Sequence, residues 1–207
     1  MSQVLPDSPL ISGFNPGGYV LNFAPVVTLT DDQLFEFAGQ NRDLRIERTP
    51  TGEITVMSPT DFEGGRRNAI VTAQLTAWAR RDGTGVACDS STGYVLENGA
   101  MRAPDVSWLS LARLSKFTAD ERRKFLRICP EFVIELRSET DTLPELKSKM
   151  QEYIACGAKL GWLIDPLEKR AYLYRPNQAV EQLENPETLS GDPVLRNFVL
   201  DLRDVWK

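Results

Sequence analysis

Two acidic residues, Asp105 and Glu135, lie inside segments whose other residues are typical of buried strands. Side chains alternate between the two faces of a strand, so each carboxylate faces away from the apolar neighbours Val106 and Ile134. A buried carboxylate costs free energy unless it pairs with a cation or binds a metal ion. Two such strands in one sheet could bring both carboxylates to the same face.

Two carboxylates on one face of a sheet can hold a divalent cation that also binds a phosphate oxygen. Such an ion lowers the pKa of a bound water molecule and stabilises the charge that develops on the phosphate. A nearby lysine can orient the water and neutralise the transition state. The spacing alone does not decide for this chemistry, because a buried Asp or Glu often pairs with arginine or caps a turn.

Histidine is absent from the sequence of 207 residues, and this absence removes several classes of site. It excludes Ser-His-Asp and Cys-His catalysis and the zinc and iron sites that use histidine ligands. The cysteines Cys88, Cys129 and Cys156 are odd in number and far apart, so neither a zinc-thiolate site nor a disulfide framework is favoured. Any bound metal would take oxygen ligands, which favours Mg²⁺ or Mn²⁺.

Length and charge limit the remaining possibilities. A chain of 207 residues favours one large domain. The net charge of −5 argues against a protein that coats nucleic acid without specificity, but it allows a local basic rim around an acidic site. No apolar run is long enough to span a bilayer, and the N-terminus lacks the pattern of a secretory signal, so a cytoplasmic location and no membrane partner are expected.

The elements that must position the carboxylates mix strands with helices, which predicts an α/β sandwich. Residues 1–29 are rich in Pro and Gly and are expected to form an extended arm, with one domain over residues 30–207. Helices are predicted over about 31–37, after the capping box that begins at Thr30, over 66–80 and over 143–156, with a short charged helical stretch within 111–126. Strands are predicted over 44–48, 53–57, 85–89, 93–96, 103–109, 131–137, 162–165 and 171–174, and near 180 and 199–202.

Four segments taken together match a known pattern: APDVS at 103–107, PEFVIELRS at 130–138, LKSKMQEY at 146–153 and GWLIDP at 161–166. They resemble the Uma-two family of restriction-endonuclease-like proteins, a cyanobacterial type within the PD-(D/E)XK nuclease superfamily. The resemblance extends from near Asp31 to the segment ending at Leu202. It implies a restriction-endonuclease-like fold, with a central mixed β-sheet flanked by helices. It also implies a Mg²⁺- or Mn²⁺-dependent endonuclease that hydrolyses phosphodiester bonds of DNA, and superfamily precedent suggests a homodimer.

The resemblance assigns roles to individual residues. Asp105 and Glu135 match the metal-binding acidic residues. Arg137 stands where the superfamily has its lysine, and the resemblance implies that the lysine has moved to the following helix, where Lys149 matches. On a helical wheel Lys149 lies at the edge of the apolar stripe of that helix, and Lys147 at the opposite edge is the competing choice.

The resemblance also implies a third acidic ligand, for which Glu47 and Glu63 are the candidates. Many relatives carry a histidine near the start of the first long helix; here that stretch offers Asn68, which could replace it or be an ordinary surface residue. Candidates for contacts with backbone phosphates are the basic residues Arg66, Arg67, Arg122, Arg123, Lys124 and Arg127, although such clusters are more often solvated helix faces.

Three functional hypotheses remain open. The first is the metal-dependent endonuclease, and the second is a catalytically inactive member of the same fold that binds nucleic acid or protein. Convergence of Asp105, Glu135 and Lys149 would favour the first, whereas a salt bridge from Arg137 to Glu135 would favour the second. The third hypothesis, a carbohydrate-processing enzyme with two carboxylates, has no other feature in its favour.

Overall fold

A computed structural model describes residues 11–15, 18–23, 27–57 and 59–207. Its helices are α1 (Asp31–Gln40), α2 (Phe62–Asp82), α3 (Leu111–Leu114) and α4 (Leu143–Ala155), with a 3-10 turn at Glu121–Arg123. Its strands are β1 (Ile11–Asn15), β2 (Gly18–Leu21), β3 (Arg45–Arg48), β4 (Ile54–Met57), β5 (Gly85–Asp89), β6 (Tyr94–Val95), β7 (Met101–Arg102), β8 (Val106–Ser110), β9 (Phe132–Leu136), β10 (Leu160–Asp165), β11 (Arg170–Tyr174), β12 (Glu181–Glu184), β13 (Thr188–Ser190) and β14 (Val199–Asp201).

The first sheet has the order β1-β2-β4-β3-β7-β6, and all of its neighbouring strands are antiparallel. Leu34 of α1 forms an apolar cluster with Ile46 of β3 and Ile54 of β4 in this sheet. The predicted arm over residues 1–29 falls partly on residues 1–10, 16–17 and 24–26, which lie outside the described residues. The described part of that segment contains β1 and β2, and β2 pairs with β4.

The second sheet, in the order β12-β11-β10-β9-β8-β5, is the mixed sheet that the sequence predicted. Strands β9 and β10 are parallel, and its other neighbouring strands are antiparallel. All residues of β9 and β10 are buried, because helix α2 covers one face of the sheet and helix α4 covers the other. The predicted α/β fold, a central mixed sheet flanked by helices, is therefore confirmed.

The two faces of the second sheet carry separate apolar clusters. On one side, Leu75 and Trp78 of α2 pack against Phe132 and Trp162, and the C-terminal segment closes this cluster. On the other side, α4 packs against residues of β9, β10 and β11 and against the segment around β6, with Leu146, Met150, Tyr153, Val133, Leu163, Tyr172 and Tyr94 buried. Helix α4 is therefore held on its apolar stripe, and this fixes which of its polar side chains face the sheet.

Helix boundaries follow local hydrogen bonds. The capping box at Thr30 is present, since its hydroxyl accepts from the Gln33 N–H and its own N–H donates to the Gln33 side chain. Helix α2 begins at Phe62, earlier than the predicted residue 66, because Asp61 Oδ1 accepts the Gly64 N–H at 2.6 Å and caps the helix. It ends at Asp82, and Gly83 caps it with a φ of 71°, a left-handed conformation that favours glycine.

The stretch over residues 111–126 is less helical than its charge pattern indicated. Only α3 and the 3-10 turn form there, and Ser110 caps α3 by accepting the Arg113 N–H. Within the described part of the chain, no helix has both the length and the apolar composition that a bilayer crossing requires.

Candidate active site

Both sheets and helix α4 supply side chains to one polar cluster. Glu47 comes from β3 of the first sheet, Asp105 precedes β8, Glu135 lies in β9, and Lys149 extends from α4. The three carboxylates are buried. Asp105, Glu135 and Lys149 line a cleft of about 1140 Å³, so this cluster is accessible to a ligand from one side. Lys149 contacts Glu135 and Asp105 lines the same cleft, so the three side chains on which the endonuclease hypothesis depends lie in one region.

Lys149 links two of the carboxylates. Its Nζ lies 2.9 Å from Glu47 Oε1 and 3.0 Å from Glu135 Oε1. Burial alone would lower the pKa of Lys149, but Glu135 and Glu47 outweigh it and raise the pKa above its ordinary value. Lys147, the competing choice, lies elsewhere, with its Nζ 4.1 Å from the centre of the Tyr172 ring.

Glu135 has the least favourable surroundings for a negative charge. Burial raises its pKa to about 7, repulsion from Asp105 and Glu47 adds to this rise, and Lys149 opposes it. Its Oε1 also accepts a hydrogen bond of 2.9 Å from the Tyr153 hydroxyl. Sequence analysis did not identify Tyr153, although its position four residues after Lys149 puts both side chains on one face of α4.

Glu47 is the best-paired carboxylate of the cluster. Besides Lys149, it accepts from Arg102 Nη1 at 3.1 Å and from the Ala103 N–H at 3.0 Å. Burial alone would raise the pKa of Glu47, but Lys149 and Arg102 hold it at about 2. Arg102 in turn donates through Nε to Glu152 at 2.6 Å, so it is fixed between two acidic side chains.

Asp105 accepts one donor on each oxygen. Its Oδ2 accepts the Leu136 N–H at 2.9 Å, and its Oδ1 accepts Arg45 Nη1 at 3.0 Å. Arg45 Nη2 also donates to the Ala103 carbonyl oxygen at 2.6 Å. Sequence analysis did not identify Arg45, and the only signal available was its position two residues before Glu47, on the same face of β3.

Arg137, which stands in the usual place of the lysine, does not contact Glu135. Its Nη1 lies 2.8 Å from Oδ2 of the fully buried Asp165. Asp165 Oδ1 accepts the backbone N–H groups of Leu167 and Glu168, so this pair stabilises the β10–β11 turn. The salt bridge between Arg137 and Glu135 that would favour an inactive protein is therefore not formed.

Glu63 and Asn68 both lie on α2 and line the cleft, but their side-chain oxygens differ in their hydrogen-bond partners. The Glu63 carboxylate accepts Arg66 Nε at 2.7 Å and is not brought to the other three carboxylates. Asn68 Oδ1 is buried without a hydrogen-bond partner, although the residue lines the same cleft as Asp105 and Glu135. A buried acceptor without a donor from the protein is a place where a water molecule, a ligand atom or a cation can bind.

The six basic residues considered for phosphate contacts already have partners within the chain. Arg66 and Arg67 donate to the carbonyl oxygens of Asp204 and Val205, and Arg122 donates to those of Leu114 and Phe117. The remaining three form ion pairs, Arg123 with Asp120, Lys124 with Asp32 and Arg127 with Asp31. Of the six, only Arg67 lines the cleft.

The donor set fits a hard divalent cation. Asp105, Glu135 and Asn68 each offer an oxygen ligand, the kind that Mg²⁺ and Mn²⁺ prefer. A cation beside Glu135 would also compensate the charge that burial disfavours. Within the described residues, no three acidic or cysteine side chains are gathered to hold a metal ion as they stand. Arg45 occupies Asp105 Oδ1 and Lys149 occupies Glu135 Oε1, so a metal ion that bound Asp105 Oδ1 would require Arg45 to move.

The sequence matches one family model over residues 31–203, and that family, Uma2, is described as "Putative restriction endonuclease". The fold is similar to a crystal structure from Anabaena variabilis ATCC 29413, described as "a putative nuclease belonging to DUF820". The two chains are 19% identical with a TM-score of 0.66, and the match covers 78% of this chain and 89% of the other. No curated protein matches this sequence.

Proposed function

This chain belongs to the Uma2 family, and from that premise we propose that it is a metal-dependent endonuclease that hydrolyses phosphodiester bonds of DNA. The observation that carries the proposal is the position of Lys149, whose ammonium joins Glu47 and Glu135 on the side of the cleft where Asp105 lies. An ammonium group that lies among carboxylates and lines an open cleft is suited to contact the phosphate groups of a substrate.

Asp105 and Glu135 are the residues that would hold Mg²⁺ or Mn²⁺, and Asn68 Oδ1 would complete the oxygen set on the α2 side. Such an ion, when bound, would lower the pKa of a water molecule and stabilise the negative charge that develops on the phosphate. Of the two candidates for a third carboxylate, Glu47 is better placed than Glu63, because Glu47 already contacts Lys149.

Lys149 would act as a cation and hydrogen-bond donor. Its raised pKa keeps the ammonium protonated at neutral pH, so it cannot serve as a general base. Its donors would orient the attacking water and neutralise the phosphate in the transition state. Glu47 and Tyr153 are positioning residues, since Glu47 holds Lys149 and Tyr153 holds Glu135. We expect products with a 5′-phosphate and a 3′-hydroxyl.

One observation favours a second candidate, a catalytically inactive protein that binds nucleic acid or a protein partner. Both oxygens of Asp105 are engaged by donors of the chain itself, Arg45 and the Leu136 N–H. A cluster that is closed by its own ion pairs can be a purely structural feature. Metal binding distinguishes the two candidates directly.

The test is nicking of supercoiled plasmid by the purified protein with Mg²⁺ or Mn²⁺, beside an EDTA control. Asp105→Asn and Glu135→Gln should each abolish nicking and weaken Mn²⁺ binding measured by calorimetry. The matched control is Glu63→Gln, a carboxylate that lines the same cleft but faces Arg66, and it should leave both nearly unchanged. Absence of cleavage on plasmid, single-stranded DNA and RNA, together with absence of Mn²⁺ binding, would overturn the proposal and leave the second candidate.

Cutting both strands of a duplex usually needs two active sites, so we further propose that the protein acts as a homodimer in the cytoplasm. Analytical ultracentrifugation of the metal-free protein should give about twice the monomer mass of 23.2 kDa. A monomer that nicks one strand at a time would contradict the dimer and leave the endonuclease proposal intact.

A further inference from the structure

Arg45 lies beside Asp105, one of the two carboxylates proposed to hold a metal ion. Its Nη1 donates to Asp105 Oδ1 and its Nη2 donates to the Ala103 carbonyl oxygen, so one edge of the guanidinium spans both acceptors. Because the Leu136 N–H occupies Asp105 Oδ2, both oxygens of this carboxylate have donors. A divalent cation on Asp105 would meet the positive charge of Arg45 at close range, and the two cations would repel each other.

The present arrangement of Arg45 leaves one of its donors unused. Its Nε is buried and has no hydrogen-bond partner. An unpaired buried donor costs free energy, so an arrangement that gave Nε a partner would be favoured once Asp105 no longer held the side chain. The Arg45 side chain is 31% exposed and lines the cleft, so space for such a movement exists.

Arg102 provides the internal comparison. It is also an arginine of the same cluster, but its donors reach Glu47 and Glu152 instead of Asp105. Its side chain is only 14% exposed, and it is not among the residues that line the cleft. Arg102 therefore has the features of a fixed structural ion pair. Arg45 differs from it in the exposed side chain, the unused donor and the contact with a proposed metal ligand.

We propose that Arg45 is an exchangeable counterion that couples metal binding to substrate binding. In the metal-free protein it neutralises Asp105. When Asp105 binds a divalent cation, the Arg45 guanidinium is released into the cleft. It then binds a phosphate group of the substrate through two N–H donors on one edge. The first half of this proposal concerns metal affinity alone, and the second half rests on the proposed nuclease function.

The decisive variant is Arg45→Met, because a counterion that competes with the metal and a residue that merely supports the site predict opposite results. The proposal predicts that Arg45→Met binds Mn²⁺ more tightly than the wild type, by on the order of tenfold, within the range usual for coupled ligands. The same variant should cleave DNA more slowly and with a higher KM. A supporting role predicts weaker Mn²⁺ binding together with the loss of cleavage.

Two further variants separate exchange from a simple change of charge. Arg102→Met removes a positive charge from the same cluster, and it should give no gain in Mn²⁺ affinity if direct competition at Asp105 is the cause. Arg45→Lys keeps the charge but cannot bridge Asp105 and the Ala103 carbonyl oxygen, so its Mn²⁺ affinity should lie between those of the wild type and Arg45→Met. If Arg45→Met fails to fold, as judged by circular dichroism, Arg45→Lys alone carries the test.

Calorimetry with Mn²⁺ tests the exchange proposal, and cleavage assays test the proposed function, so the two proposals can fail separately. If the wild type binds Mn²⁺ but cuts no nucleic acid, the proposed function fails and the affinity series still decides whether Arg45 competes with the metal. The exchange proposal is overturned if Arg45→Met binds Mn²⁺ no more tightly than the wild type, or if Arg102→Met gains affinity to the same extent.

Discussion

Lys149 Nζ lies 2.9 Å from Oε1 of Glu47, a residue 102 positions earlier in the chain. This contact joins helix α4, which packs on the second sheet, to strand β3 of the first sheet. The same ammonium contacts Glu135 at 3.0 Å. Lys149 therefore joins parts of the cluster that come from the two sheets, as Arg45 also does through Asp105.

Replacing Lys149, beside a matched replacement of Lys147, distinguishes a role in cleavage from the mere loss of one positive charge on the helix. Lys149→Met should lower the cleavage rate by about 10²–10³-fold, the usual effect of losing one preorganised donor. The matched control is Lys147→Met, which removes the same charge two residues away, above the Tyr172 ring, and should cleave at nearly the wild-type rate. Single-turnover cleavage of one oligonucleotide substrate by both variants measures the difference. Equal losses in the two variants would refute the role of Lys149.

Moving the lysine back to its usual place in the superfamily should not restore activity. Arg137→Lys combined with Lys149→Met should remain inactive, because the side chain at position 137 is directed to Asp165 and away from Glu135. Arg137→Ala should lower the free energy of unfolding by about 3–5 kcal/mol, since the buried Asp165 would keep its two backbone donors on Oδ1 but lose its cationic partner on Oδ2. Urea unfolding and plasmid nicking check these two outcomes. Recovery of nicking in the double variant would show that position 137 can reach the site.

The two glutamates that share Lys149 should respond to pH in opposite directions. Glu135 has a folded pKa of about 7 against an ordinary value of 4.5, so its contribution to stability is fully present below pH 4.5 and is lost as the pH rises through 7. Metal-free Glu135→Gln should therefore be more stable than the wild type at pH 8, by about 1–3 kcal/mol, and should show little difference at pH 4.5. Urea unfolding across this pH range measures the effect, and a destabilised variant at pH 8 would contradict it.

Glu47 has a folded pKa of about 2, below its ordinary value of 4.5. Its contribution to stability is present above pH 4.5 and is lost as the pH falls through 2. Glu47→Gln should therefore destabilise the metal-free protein at neutral pH by about 3 kcal/mol, because Arg102 and Lys149 lose a buried partner. The same unfolding series used for Glu135→Gln measures this, and a Glu47→Gln protein as stable as the wild type at pH 7 would contradict it.

Removing the Tyr153 hydroxyl should have a modest effect. Tyr153→Phe loses the hydrogen bond to Glu135 and should lower the free energy of unfolding by about 1 kcal/mol. We also expect cleavage to slow by about tenfold or less, because Glu135 is held less firmly. Tyr174→Phe, in the same apolar cluster, is the control, since no hydrogen bond joins Tyr174 to a carboxylate among the described residues. Similar losses in the two variants would indicate a packing effect alone.

The fold could be predicted from local patterns because these patterns are dictated by burial. The continuous apolar residues around Glu135 gave strand β9, and the apolar stripe of α4 placed Lys149 at its edge, where the structure has it. The helix start after Thr30 was also predicted correctly, because the hydrogen bonds of its capping box join residues only three positions apart. The start of α2 was missed, because Asp61 as a cap outweighs the low helix propensity of two glycines.

The remaining parts of the site depend on which of several possible partners, near or distant in sequence, each side chain takes. Arg45 resembles an ordinary strand arginine until Asp105, 60 positions later, is brought beside it. Glu63 was one of two candidates for a third acidic ligand, but its carboxylate pairs with Arg66, three residues later. The sequence left open whether the six basic residues form a solvated surface or bind phosphate. In the structure they form hydrogen bonds or ion pairs with residues both near and distant in sequence. Such competition between near and far partners has no signature in a single sequence.

The contact between Lys149 and Glu47 has a consequence for synthesis on the ribosome. A chain that has emerged only as far as β9 carries Glu47, Asp105 and Glu135 but lacks the ammonium that joins them. The cluster can form only after α4 has been translated and has docked on the second sheet. Under the proposed function, an unfinished copy released from a stalled ribosome before that point would lack an assembled site and would not cleave the nucleic acids around it.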